Sequence, residues 1–290
     1  MRIGVVGHRG YDGLVEVIQT LERLAAELGL EIAYERGLLE VVDELGPSGR
    51  GELESPPAVD ALVTLGGDGT LLRGARLLSG RDAPILGINL GRLGFLTSCG
   101  AGDAEAAVRN LVAGRFAAEA RMTLVARALD RDGKERRRWF ALNDVVLHKG
   151  GFARVLRIRV AADGDTIASY AADGIVVSTP TGSTAYSLSA GGPVVVPTVE
   201  SIILTPVSPH TLAIRPLVLP PTAEIEVHAI DGPDELLVTV DGQVGTTFAS
   251  GETLTVGRAA HPVALVRFPG TTFFARLRQK LGWGGLDDRD

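Results

Sequence analysis

Along the first hundred residues, short apolar, β-branched runs alternate with segments whose apolar positions recur every three or four residues. Residues 3–6 form the first such run. Leu14, Val17, Ile18, Leu21, Leu24 and Leu28 follow at helical spacing, with Gly29 as a stop. Residues 30–34 read as a second strand, Ala61–Leu65 as a third that ends in glycines, and 84–88 as a fourth. Residues 71–78 open another helix, and 47–57, rich in Gly, Ser and Pro, form a loop. Strand, helix, strand, helix in this order predicts an α/β domain with a parallel sheet.

The texture changes near residue 100. Residues 103–111 predict one more helix, with Asp103 as N-cap. Short alternating runs follow at 123–129, 138–147, 156–160, 175–178, 225–229, 236–240 and 254–256. Asp132-Gly133, Asp163-Gly164, Asp231-Gly232 and Asp241-Gly242 punctuate them as turns. This pattern predicts a mostly antiparallel, sandwich-like β domain. The division expected is an α/β domain at 1–110 and a β-rich domain at 111–265. A tail at 266–290, with a basic helix over 273–281, is expected to pack back on the first domain.

Composition narrows the function. The chain has 290 residues, 45% hydrophobic and 22% charged, which suits folded domains and excludes a disordered chain. One cysteine excludes a disulfide scaffold and points to a reducing cytoplasm. A net charge of −6 argues against nucleic acid as partner. No secretory leader is expected at the N-terminus. The most apolar later stretch, 202–221, is broken by Pro206, Pro209, Pro216 and Pro220, so no membrane span is expected. Neither a C-x-x-C pair nor an H-E-x-x-H motif occurs.

Leu65-Gly66-Gly67-Asp68-Gly69-Thr70-Leu71-Leu72 is the sharpest chemical feature. It joins an apolar strand to a helix, the place where open α/β sheets bind ligands. Its glycines admit phosphate oxygens to backbone N–H groups, and a helix N-terminus favours negative charge. No Walker Gly-Lys-Ser/Thr follows; an aspartate stands there instead, suited to a cation or to proton abstraction. Asn143-Asp144 is a polar pair in apolar strand text, so it either binds a ligand or closes a turn. The block from Asp173 to Pro193 runs from a strand into a loop dense in small hydroxyl residues, fit for a sugar or base. Tyr186 within it can stack or hydrogen-bond.

Weaker signals surround these. His210 sits in a proline-braced loop, where a structural role is the commoner one. Asp241-Gly242-Gln243 reads first as a turn. Arg154, Arg157 and Arg159 form a basic stretch that a solvated face explains, and Arg136-Arg137-Arg138 reads as a solvated hairpin. Cys99 is expected to be buried and inert. No nucleophile elbow or Ser/His/Asp order stands out.

Taken together, these motifs resemble the NAD kinase family. The resemblance rests on Gly66-Gly67-Asp68-Gly69-Thr70, Asn89-Leu90-Gly91-Arg92-Leu93-Gly94-Phe95-Leu96, Asn143-Asp144, the Asp173 to Pro193 block, Pro209-His210-Thr211-Leu212 with Arg215-Pro216, and Asp241-Gly242-Gln243. They stand in the family's order over roughly residues 1–270. The first motif alone is shared with diacylglycerol kinase-like and 6-phosphofructokinase-like enzymes. The threonine-serine-tyrosine block is far more specific.

The resemblance implies transfer of the ATP γ-phosphoryl group to the adenosine ribose 2′-hydroxyl of NAD, with ADP as co-product. It implies Mg²⁺, or another divalent cation, held mainly by phosphates without a dedicated protein cage. Asp68 matches the general base, and Gly69 would lie against the nucleotide. Asn143 and Asp144 match a pair that holds adenine and ribose. Asp173 matches a contact near the nicotinamide half, with Ala171 in the same ligand-lining stretch. Thr184, Ala185, Tyr186, Ser187, Leu188 and Ser189 match the NAD-binding run, Gln243 its late glutamine, and Arg154 a frequent basic contact. Gly67, Thr70, Arg73 and His210 are further candidates. The resemblance also implies a homodimer or homotetramer, and the proline-braced loop of His210 is expected near a subunit boundary and close to a bound nucleotide. The glycine-rich Val6-Gly7-His8-Arg9-Gly10 matches no family loop. The competing readings are a lipid kinase of the diacylglycerol-kinase type and a non-catalytic NAD(H) sensor. The Tyr186 block argues against the first, and Asp68 against the second.

Overall fold

In a computed structural model the chain is described at residues 1–45, 51–92, 94–150, 156–211, 213–231, 236–249, 251–270 and 272–283. The N-terminal apolar run becomes β1 (Arg2–Gly7). It is followed by β2 (Glu31–Tyr34), β3 (Gly51–Glu52), β4 (Ala61–Leu65), β5 (Ile85–Asn89), β6 (Cys99–Gly100) and β7 (Ala117–Arg121). Helices α1 (Leu14–Leu28), α2 (Arg36–Glu44), α3 (Asp68–Leu78) and α4 (Ala104–Val112) lie between them. The chain continues through β8 (Leu124–Leu129), β9 (Glu135–Ala141), β10 (Asp144–Lys149), β11 (Leu156–Ala162), β12 (Asp165–Ala172) and β13 (Gly174–Ser178) to a short helix, α5 (Tyr186–Ser189). Then come β14 (Ile202–Val207), β15 (Leu217–Leu219), β16 (Ile225–Asp231), β17 (Leu236–Val240), β18 (Val244–Phe248), β19 (Thr253–Arg258), β20 (Val263–Arg267) and α6 (Phe273–Leu281).

Two compact units result, one of residues 1–120 with 263–290 and one of residues 121–262. In the first, the sheet order is β3-β2-β1-β4-β5-β20-β7, with β6 beside β5. β1 pairs in parallel with β2 and β4, β4 with β5, and β5 with β20. Ile3, Val5, Val63, Leu65, Leu86 and Ile88 are buried here with the apolar stripe of α1. Residues 111–120, grouped by sequence with the β-rich region, lie in this unit, because β7 joins this sheet.

The second unit holds two six-stranded sheets, β15-β14-β13-β10-β17-β18 and β12-β11-β16-β19-β8-β9, with the strand pairings within them antiparallel. Val145, Leu147, Val177 and Val240 of the first sheet share one buried cluster with Leu124, Ile158, Val227 and Val256 of the second. Inward and outward residues alternate along β8 and β17, as expected for a sheet with one buried face. This is the α/β plus antiparallel-β architecture that the hydrophobic pattern predicts.

Several elements differ from their sequence reading. The run 138–147, read as one strand, is split: β9 ends in one sheet and β10 starts in the other. The short helix α2 and strands β12, β14, β15 and β18 lie where no element was expected. β14 tolerates Pro206 because β15 pairs only with residues 202–204, so the ladder on that side has already stopped. Asp103 stands at the N-cap of α4 but its side chain caps nothing. A 3₁₀ turn, Ala101–Asp103, already leads the chain into that helix. Asp163-Gly164 and Asp241-Gly242 both have positive φ at their two residues, the mark of type I′ turns.

Candidate active site

In the first unit, α3 starts at Asp68 directly after β4 and two glycines. Asp68 is half-buried, and its carboxylate is fixed from a loop further along the chain. One oxygen accepts the Phe95 N–H at 2.7 Å and the other accepts the Leu96 N–H at 3.0 Å. Each oxygen has a second acceptor direction, so these bonds hold the group and leave it able to take a proton. Gly94 must be glycine for this approach, since a Cβ there would overlap the Asp68 carboxylate.

That loop is itself held from its carbonyl side. Arg276 of α6 donates to Phe95 O at 2.8 Å and to Gly94 O at 3.3 Å. Arg267 of β20 donates to Leu96 O at 2.8 Å and Thr97 O at 3.0 Å. Phe273 packs against Phe95, with ring centroids 6.2 Å apart. The Asn89 side chain bridges Gly91 N–H and Arg92 O at 2.6 and 2.8 Å. Thus residues far apart in sequence fix the aspartate at the start of α3; Leu93 lies outside the described residues.

Gly67 is half-buried, Gly69 exposed and Thr70 buried beside Asp68. Arg73 is turned to Glu35, at 2.8 Å, and to Gly7 O, at 2.5 Å. It lines a hollow of about 290 Å³ with Gly7, His8, Arg9, Glu35 and Gly37. Tyr11, which the sequence reading passed over, lies close to Gly67 and Gly91.

In the second unit, Asn143 and Asp144 stand where the chain passes from β9 to β10. The Asp241 carboxylate accepts the N–H groups of Leu142, Asn143 and Asp144, at 3.2, 2.7 and 3.2 Å. Thr179 takes up the carbonyls: its N–H donates to Asn143 O at 2.9 Å and its hydroxyl to Leu142 O at 2.6 Å. A Cβ at Gly182 would overlap the Asn143 carbonyl, so the hydroxyl-rich block can pack here only with glycine.

A cleft of about 350 Å³ opens beside this crossing, lined by Asn143, Asp144, Val146, His148, Ala185, Tyr186, Thr239, Asp241 and Gly242. Asn143 Oδ1 is buried there without a hydrogen-bond partner. Tyr186 is 44% exposed, open to a ligand. The Asp144 carboxyl is pushed up to about 7, first by burial and then by the charge of Asp241; the Tyr186 N–H opposes the shift.

Not every predicted site residue faces this cleft. Ser187 is fully buried, and its hydroxyl meets Thr205 at 2.9 Å. Thr184 and Leu188 are half-buried and Ser189 exposed, with the Thr184 hydroxyl on Thr181 O at 3.3 Å. Gln243 is exposed, and its N–H closes the turn on Val240 O at 3.0 Å. Asp173 pairs with Lys149 at 2.7 Å, and the His210 N–H donates to Ala171 O at 2.9 Å. These residues lie at the far end of the β10–β13 ladder, which runs from Asp144↔Ser178 to His148↔Gly174. Four strand residues span about 14 Å. Arg154 lies outside the described residues.

Asp241, Val146, His148, Thr239 and Lys149 were not singled out as site residues from sequence. Period-two alternation from Asp144 marks Val146 and His148 as its neighbours on one face. Asp241 carried a signal too, but one that a turn explains fully.

Comparison with known proteins agrees with these motifs. The family model described as the ATP-NAD kinase N-terminal domain matches residues 3–116, and that of the ATP-NAD kinase C-terminal domain matches residues 142–268. An NAD kinase of Gemmatimonas aurantiaca is 62% identical over 291 residues, covering 100% of this chain and 99% of that one. An NAD kinase of Heliobacterium modesticaldum is 44% identical over 245 residues, covering 84% of this chain and 85% of that one. Among solved structures, a yeast NADH kinase complexed with NADH superposes with a TM-score of 0.89 at 26% identity, over 98% of this chain and 88% of that one. An NAD kinase from Archaeoglobus fulgidus in complex with ATP superposes with a TM-score of 0.76 at 28% identity, over 97% and 99%.

Two outcomes follow from this geometry. Gly94→Ala should displace the Asp68 carboxylate and cut turnover by about 10² or more, as loss of a positioned base does, with a circular dichroism spectrum like wild type. Turnover within a few-fold of wild type would mean that the loop does not set Asp68. The second outcome concerns Asp144. Its folded carboxyl keeps a proton up to about 7, whereas the unfolded one releases it near 3.8. The native state therefore binds more protons in that window, and this group's contribution to stability falls as pH rises through it. Asp144→Asn should melt higher than wild type at alkaline pH, with the difference fading toward acid. A pH-independent difference in Tm would contradict the assignment.

Proposed function

The chain belongs to the ATP-NAD kinase family and phosphorylates NAD, and on that premise we propose how its residues share the reaction. Asp68 takes the proton of the adenosine ribose 2′-hydroxyl. The oxygen so freed bonds to the γ-phosphorus of ATP, the bond from that phosphorus to the β–γ bridging oxygen breaks, and ADP leaves with the electron pair. One observation carries this role for Asp68: its carboxylate is locked at the start of α3 by the N–H groups of Phe95 and Leu96. A base held in place before substrate arrives loses little freedom in the transition state.

The donor set fits a divalent ion that arrives with the nucleotide. Among the described residues, no three His, Cys, Asp or Glu side chains gather as a metal cage. Mg²⁺ commonly takes one or two carboxylates together with substrate phosphates. Here the phosphates of ATP would hold it beside the helix N-terminus, which leaves the Asp68 carboxylate free to take the proton. When bound, the ion neutralises charge on the transferring group.

The cleft at Asn143, Asp144, Ala185 and Tyr186 is assigned to the adenosine half of NAD. Asp144 and Asn143 Oδ1 meet hydroxyl and amino donors, and Tyr186 lies against the ring. Ala171, Asp173 and His210, at the other end of the ladder, are assigned to the nicotinamide half. Thr184, Leu188, Ser189 and Gln243 border the ligand, Gly69 lies against the nucleotide, and Ser187 braces the run from within. The lipid-kinase and sensor readings are not favoured, since both domain models and the curated relatives are NAD kinases.

The chain is further proposed to work in the cytoplasm as a homodimer or homotetramer. No helix among the described residues is long and apolar enough to cross a membrane. Edge strand β15 exposes Leu217 and Val218, which favours cover by a second copy.

Incubation with NAD and Mg-ATP, with NADP read by an NADP-specific dehydrogenase, tests the reaction. Asp68→Asn should reduce turnover by about 10² or more while NAD still binds in calorimetry. A variant with near-normal turnover would remove Asp68 from the role of base. Light scattering should give a mass two or four times 30.4 kDa. A fully active monomer would refute the assembly.

A further inference from the structure

We propose that Asp241 is a positioning residue for NAD: its carboxylate gathers the backbone at 142–144 and so sets where Asn143 and Asp144 present their side chains. The proposal rests on the assignment of the Asn143–Asp144 cleft to NAD. It goes beyond that assignment by giving a role to a residue which the sequence reads first as part of a turn.

The crossing at Leu142-Asn143 is a structural problem. β9 ends at Ala141 in one sheet and β10 begins at Asp144 in the other, so the chain leaves one ladder before joining the next. Leu142 is fully buried, and backbone groups in such a place need partners. Asp241 supplies the acceptors for three consecutive N–H groups, and Thr179 supplies the donors for the carbonyls of Leu142 and Asn143. The bond is reciprocal, because Asp241 N–H donates to Asp144 O at 2.9 Å. The backbone of the crossing is thereby held from both sides. What it offers to the cleft is the buried, unpartnered Asn143 Oδ1 and the Asp144 carboxyl.

The charge of Asp241 has a second consequence. An uncharged cap would hold the turn with fewer bonds and would set no anion beside Asp144. The titratable groups that share this cleft are Asp241 from the β17–β18 turn, Tyr186 from α5, and His148 further along β10. Burial, and after it the charge of Asp241, makes Asp144 keep its proton toward neutral pH. Ionised Asp144 accepts from the ribose hydroxyls, so NAD affinity should improve as pH rises through about 7.

The test measures NAD binding by calorimetry from acid to alkaline pH, with turnover kinetics beside it. Asp241→Asn offers one acceptor oxygen instead of two and no charge. It should weaken NAD binding about tenfold at neutral pH and leave the KM for ATP within about twofold. Its midpoint for NAD affinity should move to lower pH than wild type. Asp241→Glu keeps the charge but shifts the oxygens, so NAD binding should weaken while the midpoint stays near that of wild type. Asp144→Asn should lose the midpoint, which separates it from titration of His148. Two results would overturn the proposal. One is wild-type NAD affinity and midpoint in Asp241→Asn. The other is a lowered Tm with NAD and ATP affected in parallel and the midpoint unmoved, which a merely structural turn would give. If Asp241→Asn does not fold by circular dichroism, Asp241→Glu decides, and normal NAD affinity there is fatal. A wild-type protein that forms no NADP would overturn the kinase reading itself, an outcome distinct from unaffected Asp241 variants of an active enzyme.

Discussion

Both units rest on the same interaction, a carboxylate held by main-chain N–H donors contributed from a distant part of the chain. In the first unit Asp68 is held by Phe95 and Leu96, and in the second Asp241 holds Leu142, Asn143 and Asp144. An anion accepting backbone N–H bonds makes stronger hydrogen bonds than a neutral group does. The main chain is also the least adjustable part of a fold. The two aspartates therefore convert the rigidity of the sheets into fixed positions for polar side chains, in one case its own and in the other those of its neighbours.

The loop at 94–97 shows how the constraint propagates. Its N–H groups face Asp68, and its carbonyls face Arg267 and Arg276, which belong to the returning strand β20 and to α6. The last part of the chain thus determines the geometry of a motif near its start. Thr272 caps α6, accepting the Ala275 N–H at 3.1 Å, and so sets the helix that carries Arg276. The basic helix of the tail, which the sequence expects to pack on the first domain, includes one buried arginine, Arg276, whose task the sequence does not show.

Glycine at Gly94 and Gly182 serves close approach rather than flexibility. In each case a side chain would occupy the space of a polar group, the Asp68 carboxylate or the Asn143 carbonyl. This accounts for glycine beside a polar residue in both motifs. It also places Asp144 where burial and a neighbouring anion raise its proton affinity. A buried like-charged pair is unfavourable by itself. The apolar sandwich around Val145, Val177 and Val240 maintains it.

The sequence by itself determined the architecture of the elements and the chemistry of the motifs. β1, α1, β4, α3, β17 and α6 were legible because period and stop signals are local properties of a dozen residues or fewer. Asp68 stands out as a candidate because glycines join a strand to a helix there, the Tyr186 block because small hydroxyls crowd one loop, and Asn143-Asp144 because a polar pair in apolar text needs partners. Only the tertiary structure decided which neighbours these residues meet. That β9 and β10 are two strands in different sheets follows from three N–H groups bonded to a carboxylate nearly a hundred positions away, which no local pattern contains. Ser187 looked like its neighbours in sequence yet turns inward to Thr205, because a four-residue helix presents its sides to different surroundings. Asp241 read as a turn and is one; its second role depends on what the turn faces, and that is set by the order of strands in the sheet.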